Sequence, residues 1–188
     1  MGNVVVSQFI TVDGVVEAPG GGEELERGGW AFKFKRGDEG DAFKMKELED
    51  TDVLLLGRRT YEGFAAAWPS RSGDPFSDKF NSMPKYVVSS TLKDPDWNNS
   101  TVIDGDIAEA VTKLKGEYDG DILVNGSVRL VRELAEKGLI DELRLMVFPT
   151  VLGDGKRLFD KHPESLDLEL VESRPAAETL ILIYRPKG

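Results

Sequence analysis

The chain contains no cysteine and only one histidine, His162, among its 188 residues. The absence of cysteine excludes disulfide bonds and thiolate chemistry. A single histidine excludes a metal site built from several imidazoles, and we expect no bound metal. A serine–histidine–acid triad would have to use His162, which lies in a polar Lys-His-Pro segment. A triad hydrolase is therefore disfavoured.

Long apolar runs are also missing, since no run approaches the roughly 20 residues that a membrane-spanning helix needs. The first residues carry no basic leader of the kind that begins a secretory signal sequence. Basic residues are outnumbered, with 24 Lys and Arg against 34 Asp and Glu, and the net charge of −10 disfavours nucleic acid as the main partner. We therefore expect a cytoplasmic protein that acts on a small molecule and binds neither membranes nor nucleic acid.

Three common ligand-binding motifs are absent as well. Gly155-Lys156 lacks the upstream glycine and the following Ser or Thr of a P-loop, and no G-x-G-x-x-G follows a predicted strand. The acidic runs Glu23-Glu24 and Glu47–Asp50 lack the spacing of a calcium loop and are most simply solvated faces. A hydrophobic content of 40% is typical of a globular protein, and we expect a single domain over residues 1–188.

Three short apolar runs, however, each end in glycine or in small polar residues. A strand, a tight turn and a helix start, in that order, present backbone amides and positive charge to an anion. Three such ends in one sheet predict a binding crevice along its carboxyl edge. The runs and their ends are Val53–Leu56 with Gly57-Arg58-Arg59-Thr60, Tyr86–Val88 with Ser89-Ser90, and Ile122–Val124 with Asn125-Gly126-Ser127-Val128.

Strands and helices alternate along most of the chain, and the last part contains strands alone. This order predicts an α/β fold, a three-layer α/β/α sandwich whose mixed sheet is mostly parallel with antiparallel C-terminal strands. The predicted strands are Val4–Val12, Val53–Gly57, Lys85–Ser89, Thr101–Ile103, Ile122–Val124, Glu142–Thr150 and a hairpin of Leu166–Glu172 and Thr179–Tyr184 joined through Pro175. The predicted helices are Asp41–Glu49, Thr60–Trp68, a turn near Phe76–Asn81, a segment capped by Asp104 or Asp106 that ends near Lys115, and Ser127–Lys137.

In their order and spacing these segments resemble the dihydrofolate reductase-like superfamily, in particular the C-terminal reductase domain of the riboflavin-biosynthesis deaminase/reductase. The motifs that carry the resemblance are Ser7–Gly14, Gly57–Tyr61, Lys85–Ser90, Asn125–Ser127 and Val147–Gly155. The resemblance implies an NADPH-dependent oxidoreductase that transfers a hydride to a small heterocyclic, imine or carbonyl substrate, similar to 5-amino-6-(5-phosphoribosylamino)uracil reductase and dihydrofolate reductase. The alternative is a non-catalytic nucleotide-binding or interaction protein that keeps the fold.

The resemblance also implies which residues hold NADPH. Arg58, Arg59 and Thr60, after Gly57, would hold its phosphates, and Ser89 and Ser90 would contact the adenosine half. Asn125, Gly126, Ser127 and Val128 would let the backbone approach the pyrophosphate at a helix N-terminus. Each group has a structural alternative: a turn glycine, a surface arginine pair, serines that merely end a strand, and a glycine needed for helix–strand packing.

Candidates for the substrate side are fewer. Asp13, at the end of the first strand, is the best polar candidate, and its alternative is a turn aspartate that binds the amides around Gly14. Glu17 is a weaker candidate for proton donation. Trp30, Phe34 and Phe64, with Trp68, could supply a flat apolar wall. Trp30 lies in a glycine-rich loop and is expected to act as a lid, whereas Phe64 and Trp68 lie four residues apart and are equally typical of a core.

Two departures from the family pattern concern the substrate. The riboflavin-pathway reductases usually carry an acidic residue where this chain has Asn125. Dihydrofolate reductases place a carboxylate on the helix after the first loop to bind the pterin, and Asp41 and Glu47 lie in that region here. The relatives often form homodimers, for which the apolar alternation of Leu143–Val147 with the C-terminal strands would serve. The same alternation is typical of an ordinary half-buried strand.

Overall fold

A computed structural model describes residues 1–21, 26–160 and 165–187. His162 and the Glu23-Glu24 pair, both considered above, lie outside the described residues. The strands are β1 (Val4–Thr11), β2 (Thr51–Gly57), β3 (Lys85–Val88), β4 (Ser100–Ile103), β5 (Asp121–Asn125), β6 (Glu142–Phe148), β7 (Leu168–Ala176) and β8 (Thr179–Pro186). The helices are α1 (Gly37–Asp50), α2 (Arg58–Ala67), α3 (Pro75–Ser82), α4 (Ile107–Glu117) and α5 (Val128–Glu136), with a short 3-10 helix at Trp30–Lys33.

All eight strands form one mixed sheet in the order β4-β3-β2-β5-β1-β6-β8-β7. The first six are parallel, so their carboxyl ends share one edge of the sheet. The C-terminal strands β8 and β7 are antiparallel to their neighbours. This arrangement confirms the predicted fold class.

The sheet is covered on both faces because its central strands are apolar on both sides. On one face, α1, α2 and α3 pack over alternate residues of the strands, for example Val5, Leu54 and Leu123. On the other face, α4 and α5 pack over the intervening residues, for example Val4 and Val53. Helices on both faces give the three layers of the predicted sandwich. No helix within the described ranges is long and apolar enough to cross a bilayer.

Two element boundaries differ from the predictions in an informative way. Helix α1 begins at Gly37, whereas the sequence predicts a start at Asp41. The sequence pattern misses the first turn because that turn carries no apolar residues at helical spacing. Pro175 does not join the last two strands but lies inside β7, and the turn is Ala177-Glu178. A proline is tolerated there because β7 is an edge strand whose outer side needs no amide donor.

Lys85, the first residue of β3, is a fully buried lysine. Its ammonium group donates to the carbonyl oxygens of Asn81 (2.7 Å), Met83 (2.8 Å) and Asn98 (3.0 Å). It also lies 4.2 Å from the centroid of the Trp97 ring. These contacts join the end of α3 to the loop between β3 and β4. Burial disfavours the charged form and lowers the pKa of Lys85 to about 8.

We predict that Lys85 makes the stability of the protein rise with pH in the alkaline range. The folded chain releases this proton at about pH 8, whereas the unfolded chain keeps it up to its ordinary pKa of 10.5. The unfolded state therefore binds more protons between these values, which raises the free energy of unfolding by about 2 kcal/mol between about pH 7 and about pH 9.5. Urea unfolding of the wild type and of Lys85→Met measures the difference, with the exposed Lys113→Met as control. Parallel pH profiles for the wild type and Lys85→Met would contradict the prediction.

Candidate functional site

The strands β2 and β5 lie side by side, but the helices that follow them lie on opposite faces of the sheet. Helix α2 packs on the face of α1 through Tyr61, and α5 packs on the other face through Leu130 and Val131. Ligands of open α/β sheets bind in the crevice that opens where successive connections leave in opposite directions. The carboxyl ends of β2 and β5 therefore frame the candidate site.

The two strand ends approach so closely that a side chain is excluded at Gly57 and has little room at Gly126. A Cβ atom on Gly57 would overlap the Ser127 hydroxyl and would lie 2.8 Å from the Ser127 Cβ. A Cβ atom on Gly126 would lie 3.1 Å from the Thr60 hydroxyl oxygen. The structure thus brings Gly57, Thr60, Gly126 and Ser127 together, as the sequence predicts. Glycine at these two positions allows the turn after β2 and the turn after β5 to contact each other closely.

The backbone is strained in the turn after β5, which is the second of these two turns. Gly126 has φ of 73° and Ser127 has φ of 63° with ψ of 73°, so two successive residues are left-handed. A non-glycine residue in this region costs on the order of 1 kcal/mol or more, and such residues cluster at ligand-binding turns. The turn directs the amides at the start of α5 toward the carboxyl edge of the sheet.

The helices α2 and α5 begin without any side-chain cap, whereas α3 and α4 are capped. Asp74 accepts a hydrogen bond from the Ser77 amide (3.0 Å) at the start of α3. Asp106 caps α4 by accepting from the amides of Glu109 (3.0 Å) and Ala108 (2.8 Å), which lowers the pKa of Asp106. The caps of α2 and α5 are Gly57 and Ser127, and neither makes a side-chain hydrogen bond to the helix. The first-turn amides of both helices are therefore open to an anion.

Cationic side chains flank these two helix starts. Arg58 pairs with Glu62 one turn along α2, at 2.8 Å. Arg59 is exposed, and within the described part of the chain its guanidinium has no partner. The same holds for Arg129 in the first turn of α5, which the sequence analysis missed. The sequence signal for Arg129 is its position three residues after Gly126, in the turn after β5.

The third predicted strand end lies beside the first, since β3 pairs with β2 in parallel. The Ser89 hydroxyl accepts hydrogen bonds from the amides of Thr91 (3.1 Å) and Leu92 (2.9 Å) and so shapes the turn after β3. Ser90 is exposed at the same edge. These contacts agree with a strand-ending role for Ser89, and a contact of either serine with a ligand stays a prediction.

Asp13 ties the turn after β1 to the loop after β6. Its carboxylate accepts hydrogen bonds from the Thr11 hydroxyl (2.6 Å) and from the amides of Gly153 (2.8 Å) and Leu152 (3.2 Å). These bonds, the Thr11 bond above all, lower the pKa of Asp13 to about 2 despite its partial burial. The structural alternative for Asp13 is a turn aspartate that binds the amides around Gly14. The bound amides are those of Leu152 and Gly153 instead, but a structural role of this kind accounts for the contacts of Asp13.

Glu17 is engaged in a similar way. It accepts a hydrogen bond from the Lys156 amide (3.0 Å) and forms an ion pair with the Lys156 ammonium group. Both candidate carboxylates therefore hold the same loop, residues 152–156, against the segment that follows β1. A catalytic role for Asp13 or Glu17 stays a prediction.

The prediction that Trp30 forms a lid is wrong. Trp30 is fully buried, its indole nitrogen donates to the Glu17 carbonyl oxygen (2.8 Å), and its ring meets the edge of Phe148 at 5.4 Å. The 3-10 helix turns this side chain into the core, where the large apolar ring removes more surface from water than a lid would.

Phe64 does not line the cavity described below, and a contact of Phe64 with a substrate stays a prediction. Phe64 belongs to an aromatic cluster between α2, α3 and the loop before β4, with centroid distances of 5.6 Å to Phe80, 6.4 Å to Trp68 and 6.5 Å to Trp97. These contacts agree with the core alternative that the sequence left open for Phe64 and Trp68, both of which are partly buried.

An open cavity of about 430 Å³ lies at the carboxyl ends of β1 and β6, on the face that carries α1. Phe9 and Phe148 form its floor, with ring centroids 5.1 Å apart, and Phe34 is the predicted wall residue that does line it. Phe32, which is 80% exposed, stands at its rim. The first residues of α1 close the remaining side.

Two polar residues beside this cavity, Ser7 and Lys44, are not among the predicted site residues. The Lys44 ammonium group donates to the Ser7 hydroxyl (2.9 Å) and pairs with Glu47. Ser7 in turn is paired in register with Asn125 on β5, so both side chains lie on the α1 face. A polar serine inside the apolar start of β1 is the only local signal, and it does not reveal which helix residue meets it.

Comparisons with known proteins agree with this architecture. Residues 3–182 match the model of the RibD C-terminal domain family. The chain is 29% identical over 191 residues to the protein YyaP of Bacillus subtilis, covering 98% of this chain and 95% of that protein.

Two solved structures have the same fold. One is a putative riboflavin biosynthesis protein from Shewanella sp. PV-4, 21% identical, with all of both chains covered and a TM-score of 0.79. The other is dihydrofolate reductase from Enterococcus faecalis complexed with NADP(H) and RAB-propyl, 16% identical, with 100% of this chain and 98% of that one covered and a TM-score of 0.59. Since the family model spans nearly the whole sequence, the chain belongs to the RibD C-terminal domain family, within the dihydrofolate reductase-like fold.

Proposed function

We propose that the chain is an NADPH-dependent reductase that transfers a hydride to a small heterocyclic, imine or carbonyl substrate. The observation that carries the proposal is the meeting of two uncapped helix N-termini, those of α2 and α5, at the ends of adjacent strands. The family and the fold are those of reductases, which supports the same conclusion.

The residues at this meeting point fit a dinucleotide pyrophosphate. Gly57 and Gly126 keep side chains out of the two turns, so a phosphate can come close to the backbone. The open amides of both helices complement negative charge. The guanidinium of Arg59, which has no partner among the described residues, lies within the first turn of α2, where it can take a further phosphate in a bidentate fork.

The cavity at β1 and β6 is the natural place for the substrate, because it lies on the same edge of the sheet. Neighbouring strands are about 4.8 Å apart, so the cavity begins roughly 10 Å from the end of β2. NADPH supplies the hydride when it is bound. The protein would hold the acceptor against Phe9 and Phe148 and exclude water from the apolar side of the cavity.

The first test is binding and turnover of NADPH. We expect NADPH to raise the melting temperature of the protein at millimolar concentration, because a ligand that binds only the folded state stabilises it. Oxidation of NADPH, followed by loss of its absorbance with a panel of dihydropterins and ribosylaminopyrimidines, then separates an enzyme from a nucleotide-binding protein. Absence of stabilisation by NADPH would sink the proposal, and binding without any turnover would favour the non-catalytic alternative.

The second test concerns the 2′-phosphate, which distinguishes NADPH from NADH. We expect Arg59→Ala to weaken NADPH binding by roughly tenfold to a hundredfold, the usual value of one charge-assisted contact, and to leave NADH binding nearly unchanged. Arg71→Ala is the matched control, because Arg71 is an exposed arginine that follows α2 and stacks on Trp68. Titration calorimetry measures the affinities of the wild type and both variants for NADPH and for NADH, and equal losses for the two cofactors in Arg59→Ala would refute the assignment.

A third test uses two glycines of the same region. Gly57→Ala forces a methyl group into Ser127, so we expect a loss of about 1–3 kcal/mol in the free energy of unfolding together with a loss of NADPH affinity. Gly63→Ala, in α2, meets open space and should stabilise the helix by up to about 1 kcal/mol without affecting NADPH. Urea unfolding and calorimetry measure both quantities. Unchanged NADPH affinity in a folded Gly57→Ala variant would place the cofactor elsewhere.

A further inference from the structure

Two cations lie over the ring of Phe9: Arg36, which lines the cavity, and Lys44, which lies beside the cavity next to Ser7. The Lys44 ammonium nitrogen is 5.6 Å from the ring centroid and the Arg36 guanidinium carbon is 5.9 Å from it. Phe9 also contributes its ring to the cavity floor. An aromatic ligand placed over this floor would therefore have positive charge beside it.

Lys44 is held in place and still has hydrogen-bonding capacity. Its side chain is 13% exposed, and it donates to the Ser7 hydroxyl and pairs with the buried carboxylate of Glu47. An ammonium group has three N–H donors, and within the described residues two of them have acceptors. Arg144 lies 3.8 Å from the other oxygen of Glu47, so Glu47 is itself held by two cations. The third N–H of Lys44 has no acceptor among the described residues, so it can donate to a ligand that reaches it.

The position of Lys44 is between the cavity and the candidate cofactor turn. Ser7, which it contacts, is the register partner of Asn125, and Asn125 directly precedes Gly126. Ser7 and Phe9 are alternate residues of β1 and face the same side of the sheet. A substrate that reaches from the cavity toward the cofactor would pass the Lys44 ammonium group.

The charged groups at the mouth of the cavity also favour an anionic ligand. Helix α1 starts there at Gly37 without a side-chain cap, so its first-turn amides face the mouth. Of the two carboxylates that line the cavity, Asp41 is paired with Arg36 and its side chain is 63% exposed. Asp38 is exposed to solvent. Asp41 and Glu47 are thus both paired with cations, Asp41 with Arg36 and Glu47 with Lys44 and Arg144, although the buried Oε2 of Glu47 accepts no hydrogen bond within the described residues.

We propose that the cavity binds a flat aromatic substrate through an anionic group, a carboxylate or an enolate oxygen, with Phe9 under the ring and Lys44 as the donor to the anion. Glu47 and Ser7 position Lys44. The proposal rests on the proposed reductase function and names the chemical class of its substrate. The proposed site therefore differs from a pterin site, in which a carboxylate binds a protonated, cationic ring.

Benzoate and benzamidine test the proposal, because they are planar, similar in size and opposite in charge. We expect benzoate at millimolar concentration to bind the wild type at least tenfold more tightly than benzamidine, in ligand-detected NMR titrations with and without saturating NADP⁺. No benzoate binding, or a preference for benzamidine, would overturn the proposal. NADP⁺ affinity is measured in the same samples, so a failure of the cofactor site is recognised separately.

Variants locate the binding. Lys44→Met should weaken benzoate binding about tenfold or more, and Lys44→Arg should retain most of it, because arginine keeps the charge. Lys46→Met is the matched control, since Lys46 is an exposed lysine of the same helix that pairs with Asp50. If Lys44→Met does not fold, Phe9→Leu, which removes the aromatic floor, should weaken benzoate instead. Benzoate binding that survives Lys44→Met, or that NADP⁺ abolishes in the wild type, would place the anion at the helix starts and overturn the proposal.

Discussion

The close approach of the β2 and β5 strand ends, with no side chain on Gly57, is the constraint on which the rest of the site depends. Because Ser127 occupies the space that a Cβ on Gly57 would take, the two turns interlock and hold Ser127 in a left-handed conformation. This geometry directs the starts of α2 and α5, which belong to opposite faces of the sheet, toward one crevice. Larger residues at these turns would separate the helix starts and divide the anion site.

Much of the fold, and the meeting of the strand ends at the candidate site, could be predicted because the signals are local. A buried parallel strand is a short apolar run, and a helix that starts at a phosphate needs glycine and small residues directly after it. Val53–Gly57 and Ile122–Val124 therefore carry their structural meaning in consecutive residues. The adjacency of β2 and β5 does not follow from sequence order, yet the similarity of their ends already indicated a common edge.

The residues around the cavity at β1 and β6 could not be predicted as a group, because they meet only in the folded protein. Trp30 follows a glycine-rich loop, as a lid residue would, and only the turn of the 3-10 helix sends its indole into the core. Lys44 is one of several charged residues on α1, and its contacts with Ser7 and Phe9 depend on the position of that helix over β1. The contact with Ser7 joins residues 37 positions apart. Such contacts leave no periodic trace in either segment.

The acidic composition of the chain and its two candidate anion sites are compatible for a physical reason. A net charge of −10 repels anions at long range, but at physiological ionic strength this repulsion is screened beyond about 8 Å. Helix amides and a half-buried ammonium group act at contact distance, where water is partly excluded and their interaction is stronger. The charges of Asp13 and Glu17 are balanced by hydroxyl, amide and ammonium donors of the surrounding loops. These two carboxylates thus hold the loop of residues 152–156, whereas in the proposed sites the backbone amides and nearby cations would select the charge of the ligand.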